Sequence, residues 1–477
     1  MKLVGDYLRS AGYTAEFLLT HFSLPRLHHL FYPLGRQGER FAQLYRGPGT
    51  PLFLARVFIG GYSESKDAFL AHMPEAVFDA LRENGLLEQA GTDWRAPGLL
   101  FPYDGLFINA DRAFRGQERM LPDRNYVAGG ADPTSVAFYE GIAATPCRTL
   151  LEVGTGSGVG ALLASRYAEQ VWAVDINPRS ITYARRNCAL NGAHRVTVME
   201  SDLYSALGDL RFERILANLP FVPSTESTAV FAAGGDDGER ILAGFLEGVV
   251  ERLEPGGRVY ALVMGADRED DPFEARIRRY LGAGGEECDV ALFSSKTMTP
   301  MEFAFDQILL KNSDSAALYR WIGFFEQFHV QQMVLGNLIV QRRREERPVF
   351  TVRRTLSSNA SIADMDQLAD WETRCLSRDF VPSVLASKPR TSGHWEALSK
   401  HQLRDGQMTT ISYSILASHP FVETIECAPW VVSMASKANG ELTTSQLLGM
   451  VQQQTGQPGE ALLGVFAQLV GTGILEI

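Results

Sequence analysis

The most constraining feature of the chain is the series Glu152-Val153-Gly154-Thr155-Gly156-Ser157-Gly158, which overlaps the end of the apolar run Thr149–Val153. Glycines at alternate positions let a turn pass close beneath a ligand without Cβ clashes. The stretch of roughly Val159–Tyr167 then reads as a helix whose first amides point at the same spot. Strand, glycine turn and helix in this order open an α/β unit. The dinucleotide spacing G-x-G-x-x-G fails, because Val159 occupies the third glycine position. The series is G-x-G-x-G, and it opens on an acid at the strand end.

Strand and helix patterns alternate downstream. Strands are expected at Val171–Ile176, Val196–Ser201, Arg214–Asn218 and Arg258–Met264, with later extended runs at Asp289–Phe293 and Glu302–Leu310. The amphipathic segment Arg179–Asn191 is expected as a helix between the second and third strands. A second, Asp237–Leu253, ends at the turn Glu254-Pro255-Gly256-Gly257. This alternation predicts βαβ units on a parallel sheet over residues 126–311. Residues 1–125 read as helices, among them Pro74–Leu87, followed by the extended runs Trp94–Phe101 and Gly105–Asn109 around a turn at Pro102-Tyr103-Asp104. That order outlines a winged-helix-like module. Residues 312–477 read as an α+β module with helices at Leu442–Gln454 and Gly459–Gly471, ending in a second winged-helix-like segment.

Composition narrows the partners. A net charge of −11 disfavours a broad phosphate-binding surface, so nucleic acid is the less favoured partner. The five cysteines are dispersed without a C-x-x-C pair, which fits free thiols in a reducing cytoplasm. No apolar run reaches the roughly 18 residues of a membrane span, and the early acid at Asp6 argues against a signal peptide. The nine histidines form no metal-ligand spacing, so no metal is expected. The arginines of Gln341–Arg354 neighbour Glu345 and Glu346 and read as a solvated, self-paired surface.

Three further features fall at the ends of successive strands, where an open α/β sheet places its ligand. Asp175 closes the second, where a carboxylate can accept both hydroxyls of a ribose. Asp202 closes the third, where it can accept an adenine amino group. Asn218-Leu219-Pro220-Phe221 closes the fourth. A single aspartate at a strand end more often caps a turn or helix. Four such features in this order, each about 20 residues from the last, point to one site.

Residues 126–311 resemble the Rossmann-like, seven-stranded S-adenosylmethionine (SAM) methyltransferases. Within them they resemble the group with an Asn-Pro-Pro-Tyr/Phe tetrapeptide, which includes release-factor glutamine-N5, adenine-N6 and guanine-N2 enzymes. Asn177-Pro178-Arg179, Asn187-Cys188-Ala189-Leu190-Asn191-Gly192 and Leu253-Glu254-Pro255-Gly256-Gly257 add to the likeness. The flanks, with Gly12-Tyr13-Thr14, Pro51–Gly60 and Val127–Ala131, resemble a bacterial family of multidomain methyltransferases. The resemblance implies SAM as cofactor and S-adenosylhomocysteine as product. Glu152, Gly154, Thr155, Gly156, Gly158, Asp175, Ile176, Ser201, Asp202, Leu203 and Asn218 would hold the cofactor, Glu152 on its amino group. Asn218, Leu219, Pro220 and Phe221 would form the catalytic motif. There the Asn218 side-chain oxygen and the Leu219 carbonyl accept the two N–H bonds of a planar nitrogen, and Phe221 stacks on its plane. The motif departs from the group at Leu219, usually proline, which removes a φ constraint but keeps the carbonyl.

Two segments keep two readings each. Val127–Asp132 closes over the cofactor or is a linker, and Gly234–Gly238 lines the acceptor site or starts the Asp237–Leu253 helix. The expected function is N-methylation of an amide, amine or related nitrogen of a protein, peptide or small metabolite. The alternatives are base methylation of RNA or DNA, and a SAM-using enzyme or SAM-binding regulator that does not methylate.

Overall fold

A computed structural model describes residues 1–31, 45–112, 114–115, 118–119, 125–130, 132–142, 144–223, 234–311 and 316–477. Ala131 of the glycine-rich segment lies outside the described residues. The chain divides into two compact units, residues 1–140 with 144–262, and residues 141–143 with 263–477.

The first unit begins with helices α1 (Lys2–Ser10), α2 (Ala15–Phe22), α3 (His28–Phe31), α4 (Thr50–Phe58), α5 (Lys66–His72) and α6 (Glu75–Glu83). Tyr13, from the link between α1 and α2, and Phe58, Phe69 and Phe78, from α4, α5 and α6, are fully buried in one core. Two hairpins follow, β1 (Glu88–Ala90) with β2 (Asp93–Arg95), and β3 (Leu99–Tyr103) with β4 (Leu106–Ala110). The turn of the second hairpin is Asp104-Gly105, at φ 45° and 72°, not Pro102-Tyr103-Asp104 as expected. Both central residues of such a turn need positive φ, and Asp-Gly is the pair that supplies it. The Asp-Gly dipeptide was therefore the decisive sequence signal, ahead of the proline.

The rest of this unit is α/β. Its elements are α7 (Pro133–Gly141, the last residue in the second unit), β5 (Cys147–Val153), α8 (Val159–Ala164), β6 (Ala168–Asp175), α9 (Pro178–Asn191), β7 (Val196–Glu200), β8 (Phe212–Asn218), α10 (Arg240–Arg252) and β9 (Leu253–Arg268, residues from 263 in the second unit). The strands lie in the order β9-β8-β5-β6-β7, and each neighbouring pair is parallel. Leu150, Leu151, Val171, Val174, Ile215 and Leu216 are buried, as a sheet covered on both faces requires. The chain runs from β5 outward to β7, then returns to β8 on the other side of β5. Strand order reverses there, and the carboxyl ends of β5 and β8 flank the crevice where such sheets bind ligands. The Glu254–Gly257 stretch, expected as a turn, is already part of β9, with Gly256 at φ 82° and a register shift on the β8 side.

Two asparagines join the hairpin to this sheet. Asn187 Oδ1 accepts the Asn109 N–H at 2.8 Å, while its Nδ2 donates to the Asn109 and Ser157 carbonyls at 2.9 and 2.8 Å. Asn191 treats Phe107 the same way, at 2.8 Å for both bonds. Spaced four residues apart on one face of α9, these amides substitute for a neighbouring strand along β4. Asp111 extends the clasp, accepting from Val127 N at 2.8 Å, from Tyr183 Oη at 2.7 Å and from Arg179.

The second unit contains α11 (Phe273–Tyr280), β10 (Cys288–Met298), α12 (Pro300–Lys311), α13 (Ala316–Gln327), β11 (Val330–Arg342) and β12 (Thr351–Thr355). β10 pairs antiparallel with β11 and parallel with β12. The stretch Glu302–Leu310, expected as extended, is helical. Thr299 and Glu302 form reciprocal capping bonds at its start, with Pro300 between them. A Thr-x-x-Glu box with proline in the first turn is a helix-start signal that outweighs the short apolar run. Four of the arginines of 342–354 are paired, with acids from elsewhere in the unit rather than with Glu345 and Glu346. Arg342 meets Glu287, Arg347 meets the buried Asp289, Arg353 meets Asp267 and Glu274, and Arg354 meets Glu372 and Glu423. Beyond them come α14 (Ile362–Cys375), α15 (Phe380–Leu385), an antiparallel sheet of β13 (Trp395–Arg404), β14 (Gln407–Ala417) and β15 (Glu423–Cys427), and helices α16 (Pro429–Lys437), α17 (Thr444–Thr455) and α18 (Gly459–Gly471). Among the described residues no helix is long and apolar enough to cross a membrane, and no group of acidic, His or Cys side chains could hold a metal ion.

Asn187 is fully buried, so Asn187→Ala strands the Asn109 N–H and two carbonyls without partners. An unmade buried hydrogen bond costs about 1–3 kcal/mol. Denaturant unfolding of the variant is expected to show a loss of at least about 2 kcal/mol. A loss below about 0.5 kcal/mol, the range of ordinary surface substitutions, would contradict the clasp.

Candidate active site

The glycine series forms the turn from β5 into α8. Gly154, Gly156 and Gly158 all have positive φ, at 73°, 54° and 85°. A Cβ on Gly156 would meet none of the described residues within 4 Å, so the loop is uncovered by them there. Thr155 and Ser157 are buried and turn their side chains into the protein.

Glu152 is 1% exposed, and its carboxylate faces the underside of the loop. It accepts the Thr155 hydroxyl, the Ala161 N–H at 2.8 Å and the Tyr139 hydroxyl at 3.1 Å. Burial pushes its pKa up to about 7, against the lowering effect of those three donors. The side chain thus fixes the loop and the first turn of α8 from below. Gly160 makes this possible: a Cβ there would lie 2.0 Å from Glu152 Oε1.

At the end of β6, Asp175 Oδ2 accepts the Gly156 N–H and Oδ1 accepts the Asn177 N–H, each at 2.8 Å. Burial raises its pKa, and the two amides and the Ser180 hydroxyl partly offset the rise. A carboxylate offers about four acceptor directions, and with the Ser180 hydroxyl also on Asp175 about one remains for a ligand. Ile176 beside it is 55% exposed, an apolar surface next to a polar anchor. The Ser201 N–H donates to the Asp175 carbonyl at 3.0 Å, tying the end of β7 to that of β6. Ser201 Oγ donates to the Leu203 carbonyl at 2.9 Å, and Leu203 takes a left-handed φ of 46°. The Asp202 side chain is exposed and takes no hydrogen bond from the described residues.

Asn218 is the last residue of β8, and its Nδ2 donates to Ser135 Oγ at 2.9 Å. Leu219 is buried, with Cδ2 only 3.0 Å from where a Gly154 Cβ would stand. The atypical leucine therefore lies on the glycine loop and joins the two halves of the crevice. Pro220 and Phe221 are half-buried. Gly234 N donates to the Val222 carbonyl at 2.9 Å, and a Gly238 Cβ would stand 2.7 Å from the Phe221 carbonyl, so Gly234–Gly238 packs against the exit of the tetrapeptide. It also makes the turn just ahead of α10, where Asp237 Oδ1 accepts the N–H of Glu239, the residue that precedes the helix, at 2.9 Å. In the Val127–Asp132 segment, Gly129 lies against Phe101, Gly130 against Val159, and Asp132 caps α7 through the amides of Thr134 and Ser135. The segment is docked beside the start of α8.

The structure thus gathers Glu152, the glycine loop, Asp175, Asn218 and Leu219 in direct contact, and holds Asp202 on the adjoining strand end. Sequence reasoning passed over Ser135, Tyr139 and Gly160. Gly160 was visible as one more glycine past the loop. Ser135 and Tyr139 carried only their spacing of four on one helix.

The profile of the methyltransferase small domain matches residues 125–269. A release factor glutamine methyltransferase of Moorella thermoacetica is 33% identical over 138 residues, 26% of this chain and 48% of that protein. A provisionally named protein N5-glutamine methyltransferase of Methanocaldococcus jannaschii is 31% identical over 135 residues, 27% of this chain and 68% of that protein. A ribosomal protein L11 methyltransferase of Trichlorobacter lovleyi is 31% identical over 182 residues, 35% of this chain and 53% of that protein. The chain spans about half the length of the release-factor and L11 enzymes that it matches. The fold defines a Rossmann-like transferase domain with a crevice at its strand ends. The chain belongs to the class I SAM-dependent methyltransferases of the N5-glutamine and adenine-N6 type.

The residues present suit SAM. Among the described residues nothing covers Gly156, Asp175 keeps an acceptor direction for a ribose hydroxyl, Ile176 offers an apolar face, and the Asp202 side chain takes no hydrogen bond.

The Glu152 carboxyl yields a pH prediction. Its folded pKa is raised, so its contribution to stability is fully present below the ordinary carboxylate range and is lost as pH rises through about 7. Melting temperature is expected to fall between about pH 5 and pH 8, with a shallower fall in Glu152→Gln. The same slope in both proteins would contradict the assignment.

Proposed function

We propose that this protein transfers a methyl group from SAM to the side-chain amide nitrogen of a glutamine in a protein or peptide. The observation that carries this reading is Asn218. It sits at the strand end beside the glycine loop, its Nδ2 is engaged by Ser135, and its Oδ1 takes no bond from the described residues. Such an oxygen, with the Leu219 carbonyl, accepts the two N–H bonds of a planar amide and turns the face of the nitrogen towards the donor. Phe221 stacks on the amide plane, and Pro220 stiffens the turn. When bound, the cofactor supplies a sulfonium-activated methyl group. The chain supplies position rather than a strong base, and positioning carries most of the acceleration. The names of the relatives, which include release-factor and uL3 glutamine methyltransferases, support a protein amide as acceptor.

The cofactor contacts follow the same reading. Asp175 takes a ribose hydroxyl, Ile176 and Leu203 flank the adenine, and Ser201 and Asp202 meet its polar edge. Gly154, Thr155, Gly156 and Gly158 line the methionine part, and Glu152 supports them from beneath. The winged-helix-like segments within 1–125 and 312–477 select the acceptor, and the catalytic domain spans 126–311. The five free thiols fit a cytoplasmic protein.

With SAM and glutamine-bearing peptides, the glutamine should gain the mass of one methyl group. Asn218→Ala should lower kcat by on the order of 10²-fold with SAM affinity nearly unchanged. Equal loss of turnover and SAM affinity would contradict the role given to Asn218.

A further inference from the structure

Asn218 is useful to an amide acceptor only in one of its two amide orientations. With Oδ1 towards the acceptor it accepts an N–H; flipped, it presents a second donor to a donor. The orientation is set by helix α7. Ser135, 7% exposed, takes the Nδ2 hydrogen at 2.9 Å. One turn later on the same face, the Tyr139 hydroxyl donates to Glu152 Oε1 at 3.1 Å. Its one proton is thereby committed, so towards Asn218 the phenol oxygen can only accept. Burial raises the Tyr139 pKa, and the neighbouring Asn218 amide acts in the lowering direction. Ser135 therefore holds the Nδ2 side, with Tyr139 one turn further along the same face. The pair is built in closely: a Cβ on Gly160 would lie 2.5 Å from Tyr139 Cε1, and Asp132 fixes the start of α7 through the Ser135 N–H at 3.0 Å.

We infer that Ser135 and Tyr139 are positioning residues that hold the Asn218 amide with its oxygen towards the methyl acceptor. Through Tyr139 the orientation is also tied to Glu152, and so to the loop that Glu152 supports. The inference rests on the reading of Asn218 as the acceptor-binding residue.

Two readouts test it. The first is hydrogen exchange of the Asn218 side-chain amide, followed by nitrogen-15 NMR on the full chain bound to S-adenosylhomocysteine and assigned with Asn218→Ala. Ser135→Ala and Tyr139→Phe are expected to speed that exchange about tenfold or more, the equivalent of one lost hydrogen bond. Ser135→Thr, which keeps the hydroxyl, is expected to restore protection. Phe138→Leu, which loosens the same helix without touching the network, serves as the control. Unchanged exchange in both variants, or equal acceleration in Phe138→Leu, would overturn the inference. The second readout is turnover on a glutamine peptide. There Ser135→Ala and Tyr139→Phe lower kcat about tenfold, leave the KM for SAM unchanged, and Ser135→Thr recovers. Unchanged kcat in both variants would also overturn it. If the wild-type chain methylates no glutamine, the acceptor reading fails, while the exchange readout still decides the orientation.

Discussion

A single buried carboxylate organises the catalytic half of this molecule. Glu152 lies beneath the glycine loop and receives one donor from the loop, one from the first turn of α8 and one from α7. A carboxyl in such a place is costly unless its acceptor positions are filled, and three donors converge to fill them. That convergence sets the height of the loop above β5 and requires glycine at position 160, where any side chain would strike the carboxylate. It also anchors Tyr139, one turn along α7 from the Ser135 hydroxyl that takes the Asn218 amide hydrogen. The glycine loop and the helix that holds the Asn218 amide are thus tied to one carboxylate.

A second network fixes what lies behind the loop. The hairpin of residues 99–110 has no strand beside it on the α9 side, and the side chains of Asn187 and Asn191 take that role. Because Asn187 also bonds the Ser157 carbonyl, the docked N-terminal segment and the glycine loop share an atom-level link. The Asn-Cys-Ala-Leu-Asn-Gly segment is thereby given a physical role: its two asparagines, spaced one helical turn apart, seat a neighbouring strand.

Much of the site was legible in the sequence because strand ends are marked by residue type. An acid before a glycine loop, an acid after the second strand and a polar tetrapeptide after the fourth lie where the topology reverses, and such positions need no tertiary information to be found. What escaped notice depended on tertiary contact. Ser135 and Tyr139 are an ordinary spacing of four on a helix until Asn218 and Glu152 are brought against them. The inward aim of Glu152 was equally hidden, since an acid at a strand end reads as a ligand group until its donors are seen. The helix at Pro300–Lys311 and the Asp104-Gly105 turn were different. Both carried local signals, a capping box and a left-handed dipeptide, that a reading weighted towards apolar runs passed over. The arginines of 342–354 show the opposite failure, where neighbouring acids suggested local pairing and the fold supplied distant partners instead.

The central claim is that these strand ends form one SAM site anchored by Asp175. Calorimetric titration of the purified chain with S-adenosylhomocysteine tests it most directly. One site per chain in the wild type, with affinity lost in Asp175→Ala, is the predicted result. Absence of binding in the wild type, or undiminished affinity in Asp175→Ala, would contradict it.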